Sequence, residues 1–466
     1  MKTRALAGLF TFAAVVFSSS AALAYGESDA NGFPNWSERV LLEWTNRARC
    51  DPQADLTGCT SCGDKACYSP VAPYAYSANL NHSSRFHSAE SIKQNYGCLD
   101  HYSHCNVVSN IASIYPATCD GSASCACTGG TDVCASGTCP CASPPLASGG
   151  TSPSARVALF GTDMMFEGIA SYTDPNSAFY QWLDEPYSGS SCEYDQGPPT
   201  NGHRFQLIKG EYSGQNATVA GFGVVDGSVS VVDEGIESTT NKIPSGSHYP
   251  RQSSSVDVWA NWVDTVGPKS ALVNVDGECT ALHLGRGAVT NGAYTANLTS
   301  VGSGCHRYFF VFSDSSSAVV TYPETGSLGI GPEGSCLDFD PATRPTAGAS
   351  CNCTPQCSGK ACGDDGCGGG CGNCTGSQTC NASGQCIGGG GGGSGDGGGG
   401  VGGGGTGGDG GVGAGGGSGS GGDANGDSPS EDSGCGCSIV GKSSGNDALL
   451  AIFALSGVLA IARRRR

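Results

Sequence analysis

The sequence predicts an α+β unit of helices packed on a sheet over residues 31–230, then a small all-β sandwich, a disulfide-rich module, a glycine-rich tether and a C-terminal apolar helix. Three observations carry that prediction. Helical periodicity near the start gives way to a glycine-bearing strand. Short β-rich runs recur between turn residues from 240 to 340, and beyond them first cysteine and then glycine dominates. The 466 residues include 77 Gly and 27 Cys and carry a formal net charge of −18. Glycine at about twice its ordinary usage makes part of the length spacer, and this many cysteines suit disulfides in an oxidising compartment. An acidic chain with no Lys/Arg clusters among aromatics excludes nucleic-acid binding.

In the first unit, Ser37 precedes a run in which Val40, Leu41, Trp44 and Ala48 recur at helical spacing, with Ser37 read as the cap. A second helix is predicted from Ser77 to Tyr96, with Phe86, Ala89 and Ile92 near one face. A third starts over Ser177–Leu183, and Val219–Val225 reads as a strand with glycines at 221 and 223. An insert from Cys119 to Cys141 carries six cysteines (119, 125, 127, 134, 139, 141), and this even count predicts a self-contained disulfide knot on a cleft rim. Seven more cysteines (50, 59, 62, 67, 98, 105, 192) leave at least one to pair outside their own set or stay free.

Between 240 and 340 the predicted strands are Ala271–Val275, Thr280–Leu284, Ala293–Leu298, Arg307–Phe312 and Ala318–Tyr322, with Val256 and Val258 on a lead-in strand. Cys279 and Cys305 flank successive strands and are expected to pair, leaving Cys336 to pair elsewhere. The next segment, 351–386, has nine cysteines in 36 residues, too few apolar groups for a core, and reads as a disulfide-stapled stalk rather than a zinc site. From Gly388 to Gly426, 27 of 39 residues are glycine, a flexible tether within the linker 388–433 with a reach of roughly 35 Å.

Both ends read as addresses. Residues 1–24 have a basic start (Lys2, Arg4), an apolar run from Ala5 to Phe17 and a small-x-small site at Ala22–Ala24, the pattern of an export signal peptide. At the other end, 434–466, the pair Cys435 and Cys437 is followed by a polar spacer, an apolar stretch 448–462 and Arg463–Arg466. As a helix this stretch reaches roughly 22 Å and crosses a hydrocarbon core of about 30 Å only with snorkelling arginines. This order resembles the MYXO-CTERM sorting signal of myxobacterial surface proteins. The resemblance implies cleavage near the cysteines and a lipid on Cys435 or Cys437 as the retained membrane anchor at the cell surface or outer membrane; a plain inner-membrane anchor is the other reading.

The residues that promise chemistry are His101 with His104 close by, Glu167, Glu185 and His203. Two imidazoles and two carboxylates in one cleft could hold a divalent ion on the histidines, with the carboxylates fixing the rings, or could shuttle protons. The blocks LLEWTNRAR, YSANLNHSSRFHSAESI, NYGCLDHYS, SPSARVALFG, FEGIAS, FYQWLDEPY and NGHRFQLI, followed by VAGFGVV, run in an order that resembles the CAP superfamily of cysteine-rich secretory, antigen 5 and pathogenesis-related proteins (the SCP domain). The resemblance covers about 200 residues. It implies an α-β-α sandwich whose central cleft holds two His and two Glu. On the matching motifs these are His101 (with His104 as the alternative), Glu167, Glu185 in the segment that also holds Trp182, and His203 in Gly202-His203-Arg204; Arg156 resembles an arginine frequent in bacterial members. Gly168 stands where the family motif has asparagine, and Tyr187 is closer to Glu185 than the motif spacing asks.

By this resemblance the protein is an exported, surface-anchored binding or adhesive module. Its ligand would be a lipid, a sterol or a cell-envelope glycan, and a divalent ion, zinc foremost, would sit on His101 and His203 with Glu167 and Glu185 behind them. The alternative is a metal-dependent, peptidase-like hydrolase with Glu167 and Glu185 as its catalytic candidates. Binding is preferred because two histidines offer a metal fewer protein ligands than the three usual in catalytic zinc sites. No G-x-S-x-G nucleophile elbow falls within residues 31–230.

Overall fold

The computed structural model describes residues 33–133, 150–172, 174–194, 201–225, 228–354, 356–372, 374–375 and 378–387. Residues 1–24, expected to be an export signal, Cys134, Cys139 and Cys141, the expected linker 388–433, Cys435, Cys437 and the apolar stretch 448–462 lie outside the described residues. Among the described residues, no helix is long and apolar enough to cross a membrane. The protein mixes helix and sheet and is threaded with disulfides.

The first unit contains helices α1 (Trp36–Cys50), α2 (Ala78–Lys93), α3 (Pro153–Leu159) and α4 (Pro175–Leu183). Asn35, not Ser37, caps α1: its side chain accepts from Glu38 N while Glu38 reaches back to Asn35 N, a capping box. Helix α2 begins behind its cap Ser77 and ends before the predicted Tyr96. Strands β1 (Ala75–Tyr76), β2 (Phe166–Ala170), β3 (Val219–Val225) and β4 (Val229–Gly235) form a sheet in the order β1-β3-β4-β2, with only β1 parallel to its neighbour. Alternation along β3 decides what each face meets. Ala220, Phe222 and Val224 join the core made with α1 and α4. Gly221 and Gly223 face α2, where a Cβ would come within 2.0 Å of Asn81 N and 2.1 Å of Arg85 N. The glycines in this strand exist because α2 lies directly on its backbone.

The β unit comprises β5 (Gly246–Tyr249), β6 (Ser255–Val263), β7 (Ser270–Val275), β8 (Glu278–Ala281), β9 (His283–Ala288), β10 (Asn291–Thr299), β11 (His306–Ser313), β12 (Val319–Tyr322), β13 (Ser327–Ile330) and β14 (Phe339–Asp340). One sheet runs β8-β7-β11-β13-β14 with β12 also on β11, and the other runs β9-β10-β6-β5. Val258, Trp262, Val273, Tyr294, Phe310 and Phe312 fill the core between them. The predicted strand Thr280–Leu284 is in fact two strands in different sheets. The chain crosses over at buried Leu282, whose apolar side chain serves the shared core while the backbone changes partners.

The two units are not independent. Fourteen of the fifteen residues of α1 are buried, including Arg39, Glu43, Asn46 and Arg47 on the polar side. That side meets the β unit: Trp36 Nε1 donates to His248 O (2.9 Å), Asn46 Nδ2 to Ser245 Oγ (2.9 Å) and Asn261 Nδ2 to Glu43 Oε1 (2.7 Å), and Trp44 packs edge-on to Trp259. Burial lifts the Glu43 carboxyl to about 7 despite hydrogen bonds from Ser245 and Asn261.

Several expected cysteine pairings are corrected. Cys279 bonds Cys351 and Cys305 bonds Cys336, so the expected Cys279–Cys305 pair does not form. The insert is not self-contained: Cys119 pairs with Cys125, but Cys127 pairs with Cys105 outside it. Cys50 is free and buried. In the Cys-rich module the pairs are 353–367, 357–371, 362–380 and 374–386. The module is docked rather than a free stalk. Besides Cys279–Cys351, Ala271 N on β7 donates to Cys367 O (2.9 Å), and a Cβ at Gly368 would meet Ala271 O at 2.3 Å. A cavity of about 460 Å³ remains between the module and the β9–β10 hairpin.

Candidate functional site

His101 lies in the loop after α2, and Glu167 is the second residue of β2, fully buried. His101 Nδ1 donates to Glu167 Oε1 at 2.9 Å, and Arg156, from α3, grips Glu167 Oε2. Arg156 Nη1 also donates to His101 O (2.9 Å) and Ser103 Oγ (3.3 Å), so one buried guanidinium positions both the carboxylate and the loop. Burial alone would raise the Glu167 carboxyl. Arg156, His87 and His101 outweigh it and hold the group at about 2.

Directly across the ladder from Glu167 stands Asp233 on β4. Burial, then the neighbouring Glu167 charge, drives Asp233 well above the usual carboxylate range. Two buried carboxyls side by side keep one proton between them, and Arg156 decides that Glu167 is the ionised one. Ser84 Oγ donates to Asp233 Oδ2 at 2.9 Å.

The second pair repeats the geometry. Glu185 follows α4, and His203 sits on the short helix Gly202–Arg204 that runs into the π-helical turn Phe205–Lys209. His203 Nδ1 donates to Glu185 Oε1 (3.1 Å) and its backbone N to Oε2 (3.0 Å). The next residue, Arg204, anchors the segment from beneath: it pairs with buried Asp64 (2.8 Å) and donates to Leu183 O and Glu185 O. In each pair a carboxylate oxygen accepts from Nδ1–H, which fixes the orientation of the ring.

The two pairs meet through Gln206, one turn after His203. In the amide orientation that matches donors to acceptors, Gln206 donates to Glu167 O (3.3 Å) and accepts from Gly168 N (3.2 Å). A Cβ at Gly168 would lie 2.3 Å from the Gln206 amide, so glycine at this position makes room for Gln206. His104, the alternative to His101, is placed elsewhere. Its ring stacks on Tyr96 and its Nε2 bonds Asp100 Oδ2 (3.2 Å).

Sequence reasoning passed over Asp233, Gln206 and Asp64, as well as the buried His87–Glu90 pair (2.6 Å). Its only available signal was a pair of acidic residues, Asp233 and Glu234, ending an otherwise apolar strand. Among the described residues, the groups of three or more ligand atoms within 4.8 Å of one another are Cys362, Cys374, Cys380 and Cys59, Cys62, Asp184. All five cysteines are committed to disulfides, which removes the thiolates a metal would need. The chain matches no protein-family model and no curated protein.

Proposed function

We propose that this is an exported, surface-anchored protein of the CAP superfamily, with the family's α-β-α sandwich in its first unit and a divalent-metal site on His101 and His203. In this reading the C-terminal segment is a MYXO-CTERM-like sorting signal, and the protein is a binding or adhesive module for a lipid, a sterol or an envelope glycan. The observation that carries the metal site is the repeated pairing of each histidine's Nδ1 with a buried or nearly buried glutamate. The donor set suits zinc: two imidazoles, each oriented and made more basic by a carboxylate on Nδ1. Bound zinc would supply charge and Lewis acidity at the cleft.

The binding reading is favoured over hydrolysis by the state of Glu167. A carboxylate held at about 2 and bridged by Arg156 is a poor general base near neutral pH. Zinc titration calorimetry on the chain through residue 387 tests the site. Micromolar binding is expected, lost in His203→Ala and in His101→Ala and retained in His104→Ala. Binding that disappears with His104→Ala and survives His101→Ala would contradict the assignment. Sustained, zinc-dependent turnover of a peptide panel that vanishes in Glu185→Ala would favour the hydrolase instead.

A further inference from the structure

The seam between α1 and the β unit holds a second polar set, independent of the His/Glu site. Arg39 is completely buried. Its Nη1 donates to Pro34 O (2.7 Å), and its Nε and Nη2 have no acceptor. The other buried arginines on or near α1 are satisfied: Arg47 pairs with Asp55, Arg85 with Glu38, and Arg49 donates to the carbonyls of Ala72, Leu207 and Ile208. Among the described residues, no carboxylate pairs with Arg39. A guanidinium in that position is costly unless something negative reaches it.

Two more buried groups without partners lie along the same seam. The contacts Trp36 Nε1 to His248 O and Ser245 Oγ to Glu43 Oε2 (2.7 Å) fix how β5 and the residues before it run past α1. Arg39 lies one helical turn before Glu43, and Ser247, two residues on from Ser245, stands across the ladder from Trp259, which packs on Trp44 of α1, so Ser247 is on the helix-facing side of β5. The Ser247 hydroxyl is buried and unpartnered. So is the Tyr322 hydroxyl, whose ring packs on Gly246 and whose titration feels Arg39. Nearby His248 is held neutral, at about 3, by burial first and by Arg39 second. It is already satisfied by Tyr308 Oη (2.8 Å) and Arg251 O (3.1 Å), so it adds no competing charge.

The orphan atoms are thus two guanidinium N–H groups, which can only donate, and two hydroxyls free to donate. Their ligand must accept hydrogen bonds and carry negative charge, and burial limits it to a few atoms. We infer that Arg39, Tyr322 and Ser247 bind a small monovalent inorganic anion of the halide class, which locks α1 to the β unit.

The test uses the full chain at constant ionic strength, with gluconate exchanged stepwise for bromide. The melting temperature is expected to rise along a saturating curve, and a bromide-soaked crystal to give an anomalous peak in contact with Arg39 Nη2 and Tyr322 Oη. Arg39→Met should abolish the bromide dependence. Should that variant fail to fold, Tyr322→Phe keeps the cation and should raise the half-saturating bromide concentration about tenfold, the loss of one hydrogen bond to a charged group. A melting temperature indifferent to the anion, bromide dependence that survives Arg39→Met or is unchanged in Tyr322→Phe, or an ordered water at Arg39 instead of bromide would each overturn the inference.

Discussion

The helix–sheet unit and the Cys-rich module solve the same problem in opposite ways. In the first, α1, α2 and α4 bury Trp44, Phe86, Trp182 and Phe222, and several arginines are buried against carboxylates, as in Arg156–Glu167, Arg204–Asp64 and Arg85–Glu38. The module buries little beyond Cys362, Cys367 and Asp365, and four disulfides close loops of 12 to 18 residues. Where a core exists, polar groups can be placed inside it for function. Where none exists, covalent links hold the backbone and leave little protected interior in which to shape a site.

The largest effect expected from breaking this contrast is reduction. Each module loop is worth about 3 kcal/mol in the chain-entropy view, so reductant should unfold 352–387 completely while the helix–sheet core persists. Limited proteolysis with and without reductant checks this: early cleavage confined to the module is expected, and simultaneous loss of both regions would dissolve the contrast. Next comes Arg156→Met, which strands ionised Glu167 in the interior and should cost about 3–5 kcal/mol by denaturant melts. Glu167→Gln in the same background should recover part of that loss.

A smaller effect comes from pH. The Glu43 carboxyl is raised from 4.5 to about 7, so its contribution is fully present below about 4.5 and is lost as pH rises through 7. Glu43→Gln should therefore match the wild type near pH 4 and exceed it by about 3 kcal/mol at pH 9. Glu167 runs the other way: its stabilisation, present above 4.5, fades as pH falls towards about 2. Smallest, Gly223→Ala should cost about 1–3 kcal/mol by pushing α2 off β3, read as a lower melting temperature; an unchanged value would mean the strand glycines are not spacing the helix.

How much of this was legible depends on what lay next to each residue in the chain. Helix α1 announced itself through Val40, Leu41, Trp44 and Ala48, and the strand through its alternation around Gly221 and Gly223. Burial of Glu43, Asn46 and Arg39 could not be read, because the surface that covers them comes from residues 245–261, two hundred positions later. Disulfide partners were illegible for a similar reason. Cys279 meets Cys351 only because the module folds back on β7 and β8, which no spacing rule encodes. The four site residues came from a motif order, whereas Asp233 and Gln206 had no motif and are defined only by cross-strand register and by the room that Gly168 leaves.

The central claim is that His101 and His203, each braced by its glutamate, share one metal ion. Anomalous diffraction at the zinc edge, on crystals of the protein grown with zinc, tests it most directly. The account predicts one ion within about 2.0–2.1 Å of Nε2 of both histidines, with His104 still stacked on Tyr96. An ion on His104 or on one histidine alone, or no ion at the cleft at saturating zinc, would contradict it.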